Sequence, residues 1–346
     1  MRRVSFLIGT LAVAVVSLAF TSSSRDDYSW ELTPTGSQAR LRGLSAVSSD
    51  VAWASGSLGT VLRTTDGGQT WQSVGPPGTE ALQFRDIEAF DSMNAVILSI
   101  GTGTDSRVYV TSDGGASWTL AFTNDEPTAF YDCMTFFDRN HGLALSDPVG
   151  GFFRLISTSD GGRSWEVVDA DMPPALPAEF AFAASGQCLV SVGKKNAWFA
   201  TGGDAEARVF RSADGGQSWQ VSSTPIPSSP SAGIFALAFR DKEHGLAVGG
   251  DFLVPDVAPD HLALTDDRGR SWELADDAPN EYRSGAHWVD NRSAIVVGPT
   301  GSDASFDRGE TWARFDSGSF DTVDCTDHGA CWASGELGRV ARLVKR

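Results

Sequence analysis

Residues that could bind a ligand or do chemistry recur at two places in the predicted sheets. They stand where each inner strand begins and where the next strand along the chain ends. The strand starts carry Arg42, Arg85, Asp86, Tyr131, Asp132, Glu179, Arg283 and Asp321, and the strand ends carry Asp147, Asp204 and Asp251. Guanidinium groups bind carboxylates through paired N–H donors, and a few convergent polar groups are typical of ligand pockets. If these segments meet, they predict a site for a carboxylate, a sugar or a protein partner. The alternative is that strand starts carry charge because water solvates them.

Four of these residues also suggest glycoside hydrolysis. A tyrosine assisted by a carboxylate can act as a nucleophile, and two carboxyls can serve as acid and base. The catalytic candidates for such a reaction are Tyr131, Glu179, Asp132 and Asp147. The chain contains no Walker motif, dinucleotide fingerprint or Gly-x-Ser-x-Gly elbow, and its five histidines lack metal-ligand spacing. We therefore expect no cofactor and no metal.

Six octapeptides share the pattern Ser/Thr-x-Asp-x-Gly-x-Ser/Thr-Trp. Their aspartates are Asp66, Asp113, Asp160, Asp214, Asp267 and Asp307, and their tryptophans are Trp71, Trp118, Trp165, Trp219, Trp272 and Trp312. The aspartate can accept hydrogen bonds from backbone amides across a tight turn, and the glycine supplies a positive φ. The tryptophan can then be buried between neighbouring sheets. A residue that recurs in every repeat serves the repeat, so we expect the octapeptides to be structural.

The spacing of the octapeptides predicts the fold. Successive aspartates lie 47, 47, 54, 53 and 40 residues apart, a period typical of four-stranded propeller blades. The chain ends with WASGELGRVARL, which matches WASGSLGTVLRT of the first blade, but no fourth strand follows. The segment YSWEL at 28–32 resembles a fourth strand, and its Trp30 precedes Trp71 by 41 residues. The sequence therefore predicts an all-β, seven-bladed β-propeller closed by its N-terminal strand.

The propeller fold would bring the charged strand starts together. The predicted single domain spans 25–346, with blades at about 41–74, 81–121, 129–168, 178–222, 232–275, 282–315 and, for the last, 319–345 plus 27–33. In a blade, the first strand lines the channel, and its start lies on the face opposite the octapeptide turns. We expect a channel mouth there that binds through Arg42, Arg85, Asp86, Tyr131, Asp132, Asp147, Glu179, Asp251 and Arg283.

The N-terminus predicts export. Two arginines after Met1 precede an apolar run from Val4 to Phe20 and then Thr21 and three serines, which is the layout of a secretory signal peptide at 1–24. The alternative is an N-terminal anchor, since 17 apolar residues are at the short limit for spanning a bilayer. We expect a periplasmic or extracellular protein whose mature chain is not inserted in the membrane.

Charge narrows the range of partners. The chain has 27 Lys and Arg against 44 Asp and Glu, a net charge of −17, which repels nucleic acid and anionic lipid. We expect a monomer that binds a protein, or a carbohydrate or carboxylate ligand.

The four cysteines divide into two pairs. Cys325 and Cys331 face each other across a predicted tight hairpin and are a disulfide candidate, which an exported protein permits. Cys133 and Cys188 lie in neighbouring predicted blades, and we interpret them as small buried apolar residues.

The chain resembles the seven-bladed photosystem II stability/assembly factor family over essentially its whole mature length. The segments that carry the resemblance are LRGLSAV…WASGSLGTVLRTTDGGQTW, FRDIEAF, FYDCMTFFDRNHGLALSDP and IFALAFRDKEHGLAVGGD. In that family the octapeptide is the Asp box, or BNR repeat, which sialidases and other glycosidases also carry. The resemblance implies a non-catalytic assembly, stability or interaction factor. One feature differs from that family: here the arginines stand among many aspartates. The chain also lacks the Phe/Tyr-Arg-Ile-Pro segment near the N-terminus, which argues against a sialidase.

Overall fold

The computed structural model describes residues 28–345, so the predicted signal peptide lies outside the described residues. The described chain folds into seven four-stranded antiparallel sheets arranged as a seven-bladed β-propeller. The only helical elements in this range are two short 3₁₀ turns, Gly103–Asp105 and Glu336–Gly338. The predicted all-β fold class is confirmed.

The strands follow the chain blade by blade after β1 (Tyr28–Leu32). Blade 1 contains β2 (Leu41–Ala46), β3 (Ala52–Gly56), β4 (Val61–Thr64) and β5 (Gln72–Ser73). Blade 2 contains β6 (Gln83–Ala89), β7 (Ala95–Ile100), β8 (Arg107–Thr111) and β9 (Thr119–Thr123). Blade 3 contains β10 (Tyr131–Phe136), β11 (Gly142–Val149), β12 (Phe152–Thr158) and β13 (Glu166–Val168). Blade 4 contains β14 (Leu189–Val192), β15 (Asn196–Ala200), β16 (Arg208–Ser212) and β17 (Gln220–Ser223).

The remaining blades complete the ring. Blade 5 contains β18 (Ala232–Phe239), β19 (Gly245–Asp251), β20 (Leu262–Thr265) and β21 (Glu273–Leu274). Blade 6 contains β22 (Gly285–Trp288), β23 (Ala294–Gly298), β24 (Gly301–Ser305) and β25 (Ala313–Asp316). Blade 7 contains β26 (Thr322–Cys325), β27 (Cys331–Ser334) and β28 (Val340–Lys345), with β1 as its outer strand.

The octapeptide turns have the hydrogen bonds expected from their sequence. In blade 1, the Thr70 backbone N–H and hydroxyl donate to the two carboxylate oxygens of Asp66, at 2.9 and 2.6 Å. The hydroxyl of Thr64 accepts a hydrogen bond from the N–H of Gly68, whose φ of +82° favours glycine. The other five turns repeat this arrangement. Because the hydroxyl and amide of Thr70 bind the charged form, they lower the pKa of Asp66.

Tryptophans join neighbouring blades. The ring of Trp71 at the end of the blade 1 turn packs edge-on against Trp332 of blade 7, with centroids 5.8 Å apart. Trp118 of blade 2 packs in the same way against Trp53 of blade 1, at 6.4 Å. Each turn therefore serves the interface with the preceding blade, which is a structural role.

The first strand closes the ring. β1 pairs antiparallel with β28, so that Trp30 lies opposite Leu343. The indole of Trp30 is 9% exposed, contacts the rings of Phe315 and Phe320, and donates from Nε1 to Ser302 Oγ of blade 6 at 3.0 Å. The N-terminal strand thus joins blade 7 to blade 6 through both backbone and side-chain contacts.

Two expectations need correction. Cys133 and Cys188 are both buried, but they are not separate thiols: a disulfide joins them between blades 3 and 4, with Cα atoms 6.1 Å apart. The first strand of blade 4 begins at Leu189, not at Glu179, whose carboxylate is paired with Arg208 of β16. The structure also pairs Cys325 with Cys331 across the β26–β27 hairpin.

We predict that Trp30→Ala lowers the free energy of unfolding by about 3–5 kcal/mol, the usual cost of removing a buried tryptophan. Such a loss is a large part of a typical total of about 5–15 kcal/mol. Urea unfolding measures the loss. Trp71→Ala is the comparison, because the strand that follows Trp71 belongs to a blade that is continuous in sequence and cannot separate from it.

A chain that begins at Gly36 lacks β1, so it should expose the β28 edge and associate through it. If that chain stays monomeric and as stable as the full mature protein, ring closure by β1 is refuted.

Candidate functional site

A repeated irregularity turns side chains toward the channel. In four blades the pairing between the first two strands skips one residue, a β-bulge at Arg42, Arg85, Asp132 and Phe235. A bulge re-aims the side chain that it carries and often lies next to a functional site. The bulges lie near the starts of β2, β6, β10 and β18, on the face opposite the octapeptide turns.

A segment of blade 4 bridges the channel. We call residues 181–188 the plug. Its Gln187 side chain donates to the carbonyl oxygens of Ala286 in blade 6 and Val323 in blade 7, at 3.0 and 2.8 Å, and accepts from the Ala286 N–H at 2.9 Å. Its Ala183 carbonyl accepts from Arg85 in blade 2 at 2.7 Å. Contacts from blade 4 to blades 2, 6 and 7 are made across the ring, so the plug separates two cavities.

The cavity on the bulge side has a volume of about 520 Å³. We call it the mouth. Its lining is Arg40, Arg42, Arg85, Phe182, Ala183, Ala184, Phe235, Phe252, Pro255, Tyr282, Pro299 and Glu336. Arginines come from blades 1 and 2, and aromatic rings come from the plug and from the blade 5 and blade 6 segments. The mouth therefore has a cationic half and an apolar half.

One carboxylate serves two arginines of the mouth. Arg40 binds Asp321 through two hydrogen bonds, 2.8 Å from Nε and 2.6 Å from NH2. Arg42 approaches the same carboxylate only at 3.8 Å, and its buried Nε has no hydrogen-bond acceptor among the described residues. Burial lowers the pKa of Arg42. Arg42 therefore retains hydrogen-bonding capacity for an anion.

Arg85 has neutral hydrogen-bond acceptors. It donates to the Ala183 carbonyl and, at 3.1 Å, to the Gln83 side-chain oxygen. Burial, followed by the charges of Arg42 and Arg40, lowers its pKa to about 10. The guanidinium stays charged at neutral pH, next to two other guanidiniums. The cationic half of the mouth thus holds more positive charge than its partners neutralise.

The apolar half continues onto the surface. Phe182 of the plug stacks on Phe235 at 3.9 Å between centroids, and Phe235 meets Tyr282 edge-on at 4.8 Å. Residues 252–260, here called the apolar loop, follow β19 and expose four large side chains: Phe252, Leu253, Val254 and Val257, which are 46–70% exposed. Clustered exposed apolar residues beside a pocket mark a binding surface for another macromolecule.

Two predicted carboxyls, Asp132 and Asp147, lie beside each other and outside the lining of the mouth. Asp132 is the bulged residue of β10 and is 1% exposed, and Asp147 follows Ser146, the β11 partner of Tyr131. Asp147 accepts a hydrogen bond from the N–H of Ala181, the first residue of the plug, at 2.9 Å. Burial raises the pKa of Asp147 to about 7 and raises that of Asp132 well above its ordinary value, with the Asp147 charge as a second cause.

A second cavity lies on the other side of the plug. It has a volume of about 190 Å³, and its lining includes Asp86, Glu88, His287 and Asp324. Asp86 accepts hydrogen bonds from the N–H groups of Ile87 and Met134, and burial raises its pKa to about 8. Asp86 therefore faces this cavity and not the mouth, which corrects its predicted position.

Three further predicted residues lie outside the mouth. Glu179 is buried in an ion pair with Arg208, and Arg283 is fully buried against Asp303. Both charged side chains form ion pairs with residues close to their own blade, and the presence of a charge at a predicted strand start does not reveal such a partner. Tyr131 is fully buried, and burial raises its pKa. None of the three lines the cavity.

The remaining aspartates shape loops around the mouth. Asp251 accepts from the N–H of Leu253 and so fixes the start of the apolar loop. Asp204 accepts from the N–H of Ala178 at 2.7 Å. Sequence reasoning missed Arg40, the apolar loop and the plug. The run FLVP at 252–255 was a signal for the loop, because it places apolar residues in a turn region.

Within residues 28–345, no helix is long and apolar enough to cross a membrane. In the same range, no group of three or more His, Cys, Asp and Glu side chains is arranged to hold a metal ion.

The fold and site define a seven-bladed β-propeller with a cationic and aromatic mouth. No model of a known family matches the chain, and no curated protein matches it. Among solved structures, it is similar to "YCF48 bound to D1 peptide", with 15% identity, a TM-score of 0.68, and 92% of this chain and 97% of that chain covered.

Two other solved structures are similar. YCF48 from Cyanidioschyzon merolae has 15% identity, a TM-score of 0.63, and 90% and 98% of the two chains covered. The Niastella koreensis GH74 enzyme has 13% identity and a TM-score of 0.62, and 90% of this chain covers 53% of that one. At these identities the similarity establishes the propeller fold alone.

We predict that the protein is less stable at pH 8.5 than at pH 5. Asp86, Asp132 and Asp147 have pKa values raised by burial, so the folded state keeps protons that the unfolded chain releases above about pH 4. Their stabilisation is complete below that pH and is lost as the pH rises through 7 to 8. For each carboxyl, the free energy of unfolding falls by at most about 1.4 kcal/mol per pH unit.

Urea midpoints at the two pH values measure this difference. Asp147→Asn keeps an acceptor for the Ala181 N–H and should reduce the difference. Asp169→Asn removes the same charge from an exposed position and should leave the difference near that of the wild type. Equal midpoints at pH 5 and pH 8.5 in the wild type would contradict the raised pKa values.

Proposed function

We propose that the protein is an exported, non-catalytic assembly, stability or interaction factor that binds a protein partner at the mouth. The proposal rests on the composition of the mouth. The charges of Arg42 and Arg85 are only partly neutralised by nearby carboxylates, and these guanidiniums lie beside aromatic rings and the exposed apolar loop. A carboxylate would complement the guanidiniums, and apolar side chains would complement the rings and the loop. A protein segment offers both kinds of group.

Size and charge favour a protein over other partners. The apolar loop extends the recognition surface beyond a cavity of about 520 Å³, whereas a small sugar needs no exposed apolar rim. The overall charge of −17 disfavours nucleic acid. The similar propeller YCF48 has been solved bound to a D1 peptide, which supports peptide binding by this architecture.

Export is part of the proposal. It rests on the signal-like N-terminal sequence and on two disulfides, which persist in oxidising compartments. The periplasm or the cell exterior is therefore the proposed location, where a membrane complex or an extracellular protein would be accessible.

We predict that Arg42→Gln/Arg85→Gln weakens partner binding at least about tenfold, since hydrogen bonds to charged groups contribute about 1.5–3 kcal/mol each. Affinity capture from the native host, followed by titration of the captured protein, measures this. Arg163→Gln/Arg270→Gln is the matched control, because it removes two charges from the octapeptide turns. Equal capture by all three proteins, or no stoichiometric partner for the wild type, would refute the proposal.

The second candidate is a glycoside hydrolase, which the fold similarity to the GH74 enzyme favours. Against it, Tyr131 and Glu179 are buried, and Glu179 is held by Arg208. Asp132 is also buried, and neither its carboxyl nor that of Asp147 lines the mouth.

We expect no turnover of aryl-glycosides or sialosides by the wild type. A fluorogenic assay compares it with Tyr131→Phe/Glu179→Gln. Turnover by the wild type that this variant loses would favour the hydrolase over the binding protein.

A further inference from the structure

The Asp132 and Asp147 carboxyls lie where the plug begins, two residues before the plug carbonyl that binds Arg85. Asp132 is 1% exposed, and its Oδ2 accepts no hydrogen bond from an N–H or hydroxyl donor among the described residues. The neighbouring carboxyl of Asp147 is fixed by the Ala181 N–H. Two adjacent carboxyls, one of them buried with an unpaired oxygen, cannot both ionise without a large desolvation and repulsion cost. The neutral form of the pair is therefore favoured.

Arg85 connects this pair to the ligand site. Arg85 lines the mouth and donates to the Ala183 carbonyl, two residues after the Ala181 N–H that binds Asp147. Through this short segment the charges of Asp132 and Arg85 act on each other. When the pair is neutral, the Arg85 charge is available to an anion in the mouth. When Asp132 ionises, its carboxylate competes with that anion for Arg85.

We propose that the mouth takes up a proton, held by the Asp132–Asp147 pair, when it binds a carboxylate that carries an apolar group. This inference rests on the proposed function, because it treats the mouth as the recognition site of a protein segment. Linkage makes the effect reciprocal: the bound anion favours protonation of the pair, and protonation of the pair strengthens anion binding. The affinity should therefore rise as the pH falls through the range in which the pair titrates.

The other charged groups near Arg85 do not produce this dependence. The guanidiniums of Arg40 and Arg42 of blade 1 are not deprotonated in proteins, and Asp321 of blade 7 is bound to Arg40. Asp86, the next residue on β6, faces the cavity beyond the plug and is bound by two backbone N–H groups. On the Asp147 side, the packed groups are Asp132 and the plug backbone.

The experiment uses N-acetyl-phenylalaninate as the probe and N-acetyl-phenylalanine amide as its neutral control. Binding to the mature protein is followed by NMR at pH 6, 7 and 8. We expect the carboxylate to bind at least fivefold more tightly at pH 6 than at pH 8, with a limit of about tenfold per pH unit for one proton. Calorimetry in two buffers with different ionisation enthalpies should show uptake of up to one proton. The amide should bind more weakly and without pH dependence.

Two variants locate the proton. Asp132→Asn/Asp147→Asn should bind the carboxylate at pH 8 as tightly as the wild type does at pH 6, with a flat pH profile. His287→Gln changes a side chain beyond the plug and should keep the wild-type profile. If the double variant does not fold, the calorimetric proton count on the wild type still decides.

Binding without proton uptake, or binding that strengthens with rising pH, would overturn the inference. Absence of carboxylate binding at every pH would overturn it too. If partner capture still depended on Arg42 and Arg85 in that case, the proposed function would stand without it.

Discussion

The candidate site depends on the hydrogen bonds by which Gln187 fixes the plug across the channel. Seven inner strands leave a central hole that their own side chains do not fill, and water would otherwise occupy it. The Gln187 amide engages the backbone of blades 6 and 7, while the plug begins at the Asp147 carboxyl and ends at the Cys133–Cys188 disulfide. This fixed segment forms the floor of the mouth. Its Ala183 carbonyl also accepts a hydrogen bond from Arg85, and the partial burial of that guanidinium would strengthen its interaction with an anion.

Charge is distributed unevenly in this protein. The chain is strongly acidic, yet the mouth concentrates three arginines against few carboxylates. The acidic surface repels anionic polymers at long range, whereas the guanidiniums of the mouth act at contact distance. The proposed partner segment, one carboxylate with apolar neighbours, fits such an arrangement, because a uniformly anionic partner would be repelled before contact.

Much of the architecture could be predicted from sequence because it is local or periodic. The octapeptide spacing predicted the blades, and the likeness of Tyr28–Leu32 to a fourth strand predicted ring closure, which the β1–β28 pairing confirms. The sequence predicted charged residues at the mouth, and only some of the residues that it predicted line the cavity. Arg42 and Arg85 reach the mouth because bulges re-aim them.

The errors arise from long-range partner choice. Arg283 pairs with Asp303, and Glu179 with Arg208, over sequence separations that a motif does not encode. The plug was missed for the same reason: its stabilising contacts lie in blades 2, 6 and 7, and nothing in residues 181–188 alone predicts them. The Cys133–Cys188 bond would have required knowing that strand β14 begins only after the plug.

Site-specific photocrosslinking tests most directly whether the mouth is the partner-binding face. A photoreactive residue at position 253, which is Leu253 in the exposed apolar loop, is compared with one at position 116, which is Ala116 in an exposed octapeptide turn. In the native extract, we predict a discrete crosslinked protein from position 253, reduced by Arg42→Gln/Arg85→Gln, and none from position 116. A crosslink from position 116 alone, or one from position 253 that the arginine substitutions leave unchanged, would contradict it.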